Sequence, residues 1–424
     1  MLNNEGAVIT QNSGHPFTFR NYRHFWTARL FSMLAQNCVS VILGWQAYEV
    51  ARRTMSLEGA AAQLGIIGLI QFLPIATLSL HAGLVADRQD RRFIVGICLA
   101  IQAFVSVALA MLTATGQITL GSIFAIAAVQ GMARAFYLPA MNALGPNCVP
   151  KAVLPRAVAL STLSGRFGAI LGPVLGGALF TLTPALPYQA AVGMLLVSML
   201  LVLTISNIER PRMATRRSPF HEIADGLRYV RQSRVLLGAI SLDMVAVLVG
   251  GATALLPVFA REVLQVDADG LGLLRAAPAL GAIATGLWCS RYPIDRRVGK
   301  KMLVSVGIFG LATVCFGLAR TMPAALVSLF AIGASDMVSV MVRQSLIQIR
   351  TPDEMRGRVG AMSALFISTS NELGEAESGF AAALFGPVAA VVGGGIGAVI
   401  IALAWVRLFP DLAKANRLSS PEGE

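Results

Sequence analysis

Three glutamates, Glu372, Glu375 and Glu377, sit close together in SNELGEAESG, inside a long stretch of small and apolar residues. An ionised group in apolar surroundings must find a partner or water, or give up its charge. On a helix Ser368, Glu372 and Glu375 follow i, i+4 and i+7 and share a face, whereas Glu377 points elsewhere. A carboxyl deprived of water also holds its proton more readily. Glu372 and Glu375 are therefore candidates for proton coupling, with a structural hydrogen bond to a neighbouring helix as the other reading. Further polar groups lie at similar depth. Arg134 and Asp336 carry opposite charge 202 residues apart, and Arg343 follows Asp336 by seven residues on the same helical face. Arg29, Gln36 and Ser40 share another face, and Asp243 is an approximate counterpart from the other half. Arg29, Gln36, Arg134, Asp243, Asp336 and Arg343 are the candidate contacts for a solute. Trp45 and Tyr48 read either as site residues or as anchors at a membrane interface.

The elements that must position these residues follow from composition. Of 424 residues 55% are hydrophobic and 13% charged, and the mean hydropathy is +0.68. Such a chain has too few polar residues to cover itself in water, so the bilayer is its solvent. A span needs about 20 apolar residues to cross about 30 Å of hydrocarbon. Apolar runs fall near 25–50, 64–86, 93–114, 120–144, 158–182 and 188–208, then near 236–259, 271–289, 302–318, 324–349, 359–385 and 388–408. The expected fold is all-α and integral to the membrane, with twelve transmembrane helices in two pseudo-symmetric six-helix bundles at 25–208 and 236–408. Residues 1–24 and 409–424 read as cytoplasmic tails, and the first of them lacks the pattern of a signal peptide. Between the bundles, 209–235 reads as a basic cytoplasmic linker. Its later part keeps Phe220, Ile223, Leu227 and Val230 on one face of an amphipathic helix.

An internal repeat supports the division. PKAVLPRAVALSTL from Pro150 aligns without gaps on PDEMRGRVGAMSAL from Pro352, again 202 residues apart, and each opens the fifth helix of its half. Repeats of this kind place a substrate at their interface near the membrane midplane. Orientation follows from the basic residues. Of 34 Lys and Arg, one set of connections holds only Arg52, Arg53, Arg261 and Arg320, so the opposite set and both termini face the cytoplasm. The net charge of +12 is spread over alternate loops rather than one face, which speaks against nucleic acid.

The connection between the second and third spans reads GLVADRQDRR, Gly83 to Arg92. It resembles the signature loop of the major facilitator superfamily, although that family usually has glycine where this chain has Asp90. The resemblance implies a cytoplasmic gate built from Gly83, Asp87, Arg88, Arg91 and Arg92. In it, Gly83 permits close helix approach, Asp87 faces a helix N-terminus of the other half, and the arginines meet head groups or acidic side chains. The corresponding loop of the second half, from Ser290, keeps the bases and loses the aspartate pattern. In the fifth span GRFGAILGPVLGGAL places Gly168, Gly172, Pro173, Gly176 and Gly177 at spacings that allow tight packing and a bend. It resembles the glycine-proline motif of major facilitator antiporters, which favours export. QGMARAFYLPAMNALGPNCVP and TPDEMRGRVGAMSAL are similar to the efflux branch that includes enterobactin exporters.

An enzyme is not expected. His15, His24, His81 and His221 form no metal-binding spacing, and there is no nucleophile turn or phosphate-cradling loop. Cys38, Cys98, Cys148, Cys289 and Cys315 show no disulfide or zinc pattern. No cofactor and no metal are expected. The expected function is gradient-driven transport of a small solute across the cytoplasmic membrane by alternating access, as a monomer surrounded by lipid. Proton-coupled efflux of a drug, siderophore or metabolite leads, and uptake or lysolipid transport by the same fold is the alternative.

Overall fold

The computed structural model describes residues 15–206, 219–292, 294 and 296–416. The first half consists of α1 (Arg20–Arg52), α2 (Leu57–Arg88), α3 (Arg91–Ala114), α4 (Leu120–Leu144), α5 (Leu154–Leu182) and α6 (Leu186–Leu203). A linker helix, α7 (Pro219–Gln232), leads to α8 (Arg234–Val249), the three-residue α9 (Leu256–Val258), α10 (Ala268–Arg291), α11 (Val298–Leu318), α12 (Met322–Arg350), α13 (Asp353–Phe385), α14 (Pro387–Leu408) and α15 (Pro410–Lys414). Among the described residues eleven segments are long and apolar enough to cross a membrane. The 33-residue α13 completes the twelve by length and position, and its interior glutamates keep it out of the apolar eleven.

Several elements begin earlier than the apolar runs indicate, because helical hydrogen bonding continues where side chains become polar. Helix α1 starts at Arg20 inside the stretch read as tail, and there Tyr22 is buried and its hydroxyl donates to the Ala157 carbonyl at 2.7 Å. At the other terminus α15 folds back so that the Arg297 amide donates to the Asn416 carbonyl at 2.7 Å. The first part of the linker, 207–218, and the side chains of Phe220 and Ile223 lie outside the described residues. Leu227 and Val230 of α7 pack with the core of the second half.

In the first half α1 packs on α5 and α6, α2 on α4, and α3 on α4 and α6. In the second half α10 packs on α12, α11 on α12 and α14, and α8 on α13 and α14. The halves meet mainly through two helix pairs, α2 with α13 and α5 with α10. These are the second helix of one half against the fifth of the other, so the twofold relation exchanges one interface for the other. Glycine allows both. A Cβ added at Gly379 would stand 2.4 Å from Gly65 Cα, and one at Gly177 would stand 2.2 Å from the Ala268 carbonyl oxygen. These approaches lie toward the end of the bundle opposite the termini.

The seventh span is not one continuous helix, contrary to the run 236–259. α8 stops at Val249, followed by Gly250 and Gly251, a 3-10 turn over Ala252–Leu255, α9, and a π-helical turn over Phe259–Val263. A glycine pair exacts the largest loss of backbone entropy in a helix. Here the freed carbonyls find side-chain donors: Ser378 Oγ reaches Gly251 O at 2.7 Å, and Arg275 Nη1 reaches Thr253 O at 3.0 Å.

Overpacking a tight contact costs about 1–3 kcal/mol. Gly379→Val is therefore expected to lower the thermal unfolding midpoint of the detergent-purified protein. Gly393→Ala, where an added Cβ meets nothing within 4 Å, is expected to leave it unchanged or raise it. Equal midpoints for the two variants would mean that the glycine contact does not hold the halves together.

Candidate functional site

Two neighbouring spaces lie within the bundle. One, of about 300 Å³, is bounded by helices of the first half and lined by Gln36, Ser40, Gln71, Gln102, Gln130 and Arg134 among others. The other, of about 50 Å³, lies between the halves and shares Ser40 and Gln71 with the first. Its remaining walls include Gly44, Pro257 and Ala254 of the interrupted span, Arg275 of α10 and Glu375 of α13. An interrupted helix beside a cavity exposes backbone carbonyls and half-helix ends that can coordinate a substrate.

Charge from both halves converges here. Arg134 Nη2 of α4 stands 3.8 Å from Glu372 Oε1 of α13, an ion pair across the interface. Helical geometry explains why Glu372 and Glu375 both point inward. They lie three residues apart on the face of α13 that packs against α2, where the Glu375 Cβ would be 3.3 Å from a Cβ built on Gly68. Glu377 is exposed on another face. Arg134 thus pairs with Glu372 rather than with its repeat counterpart Asp336. The repeat relation makes two positions equivalent within their halves, but it does not bring them within reach of each other.

Asp336 belongs to a second cluster, inside the second half. Asp243 of α8 and Arg343 of α12 form an ion pair with side chains 7% and 3% exposed, and Ser339 Oγ donates to Asp243 Oδ1 at 3.3 Å. Asp243 and Asp336 line one small space together with Ser335 and Ser339. Arg29 lies apart from both clusters. Its Nη1 donates to Asn142 Oδ1 at 2.9 Å beside a separate space near the termini, lined by Tyr22, Phe25 and Pro146. Gln36 lines the central space.

The glycine-proline motif divides between two partners. Gly168, Gly172 and Gly176 face α1, where added Cβ atoms would meet Met33, Asn37 and Cys38. Gly177 faces Ala268 of α10, and the Pro173 carbonyl lies against Gly272 of the same helix. At the proposed gate the side chains of Asp87 and Arg88 lie outside the described ones. Among the described residues a Cβ at Gly83 would meet nothing within 4 Å, so no close helix approach is described there. Arg91 Nη1 donates to Ala143 O at 3.0 Å, and Arg92 donates to the Ile205 carbonyl, so both cations hold helix C-termini of their own half. Asp90, the departure from the superfamily loop, accepts from the Arg92 amide as the N-cap of α3 and pairs with its guanidinium at 2.6 Å.

Sequence reasoning missed three residues. Arg275 and Arg166 are arginines within spans, and the depth rule applied to Glu372 would have found both. Glu262 sits in the π-helical turn, accepting from Tyr48 Oη at 2.8 Å and Arg52 Nε at 3.0 Å, and so ties the halves together at the end far from the termini. Tyr48 and Trp45 are buried there, not at a lipid interface. Only the folded chain joins α1 to residue 262.

Comparison with known proteins agrees with this architecture. A family model described as transmembrane secretion effector matches residues 12–421. The enterobactin exporter EntS of Salmonella choleraesuis is 25% identical over 395 residues, 93% of each chain. EntS of Citrobacter koseri is 25% identical over 395 residues, 93% of this chain and 92% of its own. In fold the chain is similar to the D-xylose-proton symporter (TM-score 0.70, 16% identity, 92% and 98% covered). It is also similar to the nucleoside transporter NupG (TM-score 0.68, 15% identity, 92% and 99% covered).

Removing one member of a buried ion pair costs about 3–5 kcal/mol, because the other charge is left uncompensated. Arg343→Met is expected to destabilise the purified protein to that extent, and Arg343→Met combined with Asp243→Leu to recover most of the loss in a thermal or denaturant titration. Additive losses would show that the pair is not energetically coupled.

Proposed function

We propose, for a chain that belongs to the transmembrane secretion effector family of the major facilitator superfamily, that it exports a small solute by alternating access, driven by protons entering through the cavity between its halves. It is a membrane transporter and not an enzyme. The observation that carries the export mechanism is the Arg134–Glu372 pair, which joins the two halves at mid-depth beside the central space. A solute or a proton that takes one partner releases the other, and with it one contact between the halves. Differential binding of this kind is the only way a ligand shifts a conformational equilibrium.

The direction and the membrane are part of the same reading. The basic connections lie at the end carrying the termini, which supports reading that end as cytoplasmic and the chain as lying in an inner membrane. In that orientation the end sealed by Tyr48, Arg52, Glu262 and the glycine contacts faces outward. Opening it while the gate at Gly83, Asp87, Arg88, Arg91 and Arg92 closes completes the cycle. The relatives named enterobactin exporters make that siderophore the first solute to test.

In everted proteoliposomes with an imposed pH gradient, labelled enterobactin is expected to accumulate, and collapse of the gradient to stop it. Undiminished accumulation without a gradient would exclude proton coupling. Glu372→Gln mimics a carboxyl that never releases its proton, so it is expected to lose gradient-driven accumulation and keep exchange at equal pH.

The outer seal gives a test free of solute. In a background without native cysteines, Ser40→Cys is expected to react faster with a membrane-impermeant thiol reagent from the outer face once Glu262→Gln weakens the seal. An unchanged rate would remove Glu262 from the outer gate.

A further inference from the structure

The separate space near the termini has no part in the cycle above. It measures about 220 Å³, room for roughly seven waters. Its floor forms where the turn after α4 meets the first turns of α1 and α5, and Tyr22, Phe25, Gly145 and Ala157 are buried there. A Cβ added at Gly145 would stand 2.8 Å from Phe25 Cζ, so the ring lies where a side chain at 145 would have to be. The rim residues Asn142, Val158 and Thr162 are exposed, and the space is open on that side.

Among the described residues Arg29 alone brings a charge to this space, and no carboxylate pairs with it. A guanidinium has five N–H donors and keeps its charge at any working pH. Here Nη1 donates to Asn142 Oδ1 at 2.9 Å, while the enclosed Nε has no acceptor. A cation at membrane depth without an acidic partner calls for an anion or water beside it. Asn142 turns its oxygen to Arg29, which leaves its amide nitrogen as a further donor on the rim. The other walls are aromatic and aliphatic, from Tyr22 and Phe25 to Pro146, Leu154 and Val158. What complements them is an anionic group carried on a small apolar body.

Helical periodicity carries this site toward the central space. Arg29, Met33 and Gln36 on α1, Asn142, Leu138 and Arg134 on α4, and Thr162, Gly165 and Ala169 on α5 follow one another at three or four residues. The first residue of each row lines the space near the termini, and the other two line the central space. The seven residues from Arg29 to Gln36 span about 10 Å. Leu163, Phe167, Leu171 and Leu175, the large exposed apolar residues of α5, fall on its opposite face, so the open rim faces the path between the halves rather than lipid. We infer that this space is a loading site for a soluble organic anion, where Arg29 holds the anionic group before the solute moves along the three helices to Arg134. The inference names a solute class for the export reading and rests on that reading for its purpose, but its binding test needs no transport.

The test follows Thr162→Cys at the rim, in the full chain without native cysteines, held in lipid nanodiscs that leave both faces accessible. Its labelling is timed with a thiol reagent bearing a sulfonate and with one bearing a quaternary ammonium. Arg29 is expected to favour the sulfonate, and Arg29→Gln to lower the ratio of the two rates about tenfold. In phosphatidylcholine discs benzoate is expected to slow the labelling, and its neutral isostere benzamide to leave it unchanged. Arg29→Gln is expected to abolish the benzoate protection and Arg29→Lys to keep it, which separates charge from packing. The inference falls if Arg29→Gln changes neither the ratio nor the protection, or if Arg29→Lys loses the protection as fully as Arg29→Gln. It also falls if phosphatidylglycerol in the disc slows the labelling and benzoate does not, since the space would then hold a lipid head group. Arg29-dependent protection with no gradient-driven accumulation of benzoate or enterobactin would support the site and overturn the export reading alone. Accumulation undiminished in Arg29→Gln would overturn the loading role and leave the export reading standing.

Discussion

An ionised side chain at membrane depth must be paired, solvated or neutralised, and this requirement organises the protein. It places Arg134 opposite Glu372 across the interface and Asp243 against Arg343 inside the second half, and it turns Arg275 toward a backbone carbonyl freed by the broken span. Each pairing joins two elements that would otherwise be held together only by dispersion and shape. Each is also a contact whose loss would leave a charge uncompensated at depth, which ties the pairing to the stability of the bundle.

Close packing sets where such contacts can form. Lipid offers helices no hydrophobic reason to associate, so small residues at the interface must supply van der Waals contact. Gly65 with Gly379 and Gly177 with Ala268 bring the halves together toward one end, and the glycines facing α1 keep α5 in its own bundle. The same helix therefore belongs to one bundle through one face and to the interface through another. The broken seventh span adds a third device, since unwinding at Gly250 and Gly251 exposes carbonyls that Ser378 and Arg275 then satisfy.

The twelve apolar runs, the repeat at an offset of 202 and the three glutamates were legible because each depends on residues near one another in the chain or on a simple periodicity. The same local logic places Glu372 and Glu375 on one face and Glu377 on another. It misled where a side chain's partner lies far away in sequence. Trp45 and Tyr48 resemble interfacial aromatics in composition, yet they are buried at the seal because Glu262 and the halves' closure surround them. Arg29 shares a helical face with Gln36, but over that length α1 passes from one space to another.

Sequence alone determined that this chain crosses a membrane in two related six-helix halves and that it carries charge at depth, because hydropathy and repetition are properties of the chain itself. Tertiary structure decided which charges meet. Pairing depends on distances of a few ångströms between helices whose separation and rotation are set by glycine contacts and by the break in the seventh span, and no one-dimensional spacing contains those distances. For that reason Arg134 could be singled out as a candidate from its depth, while its partner, Glu372 and not Asp336, emerged only when the halves were brought together.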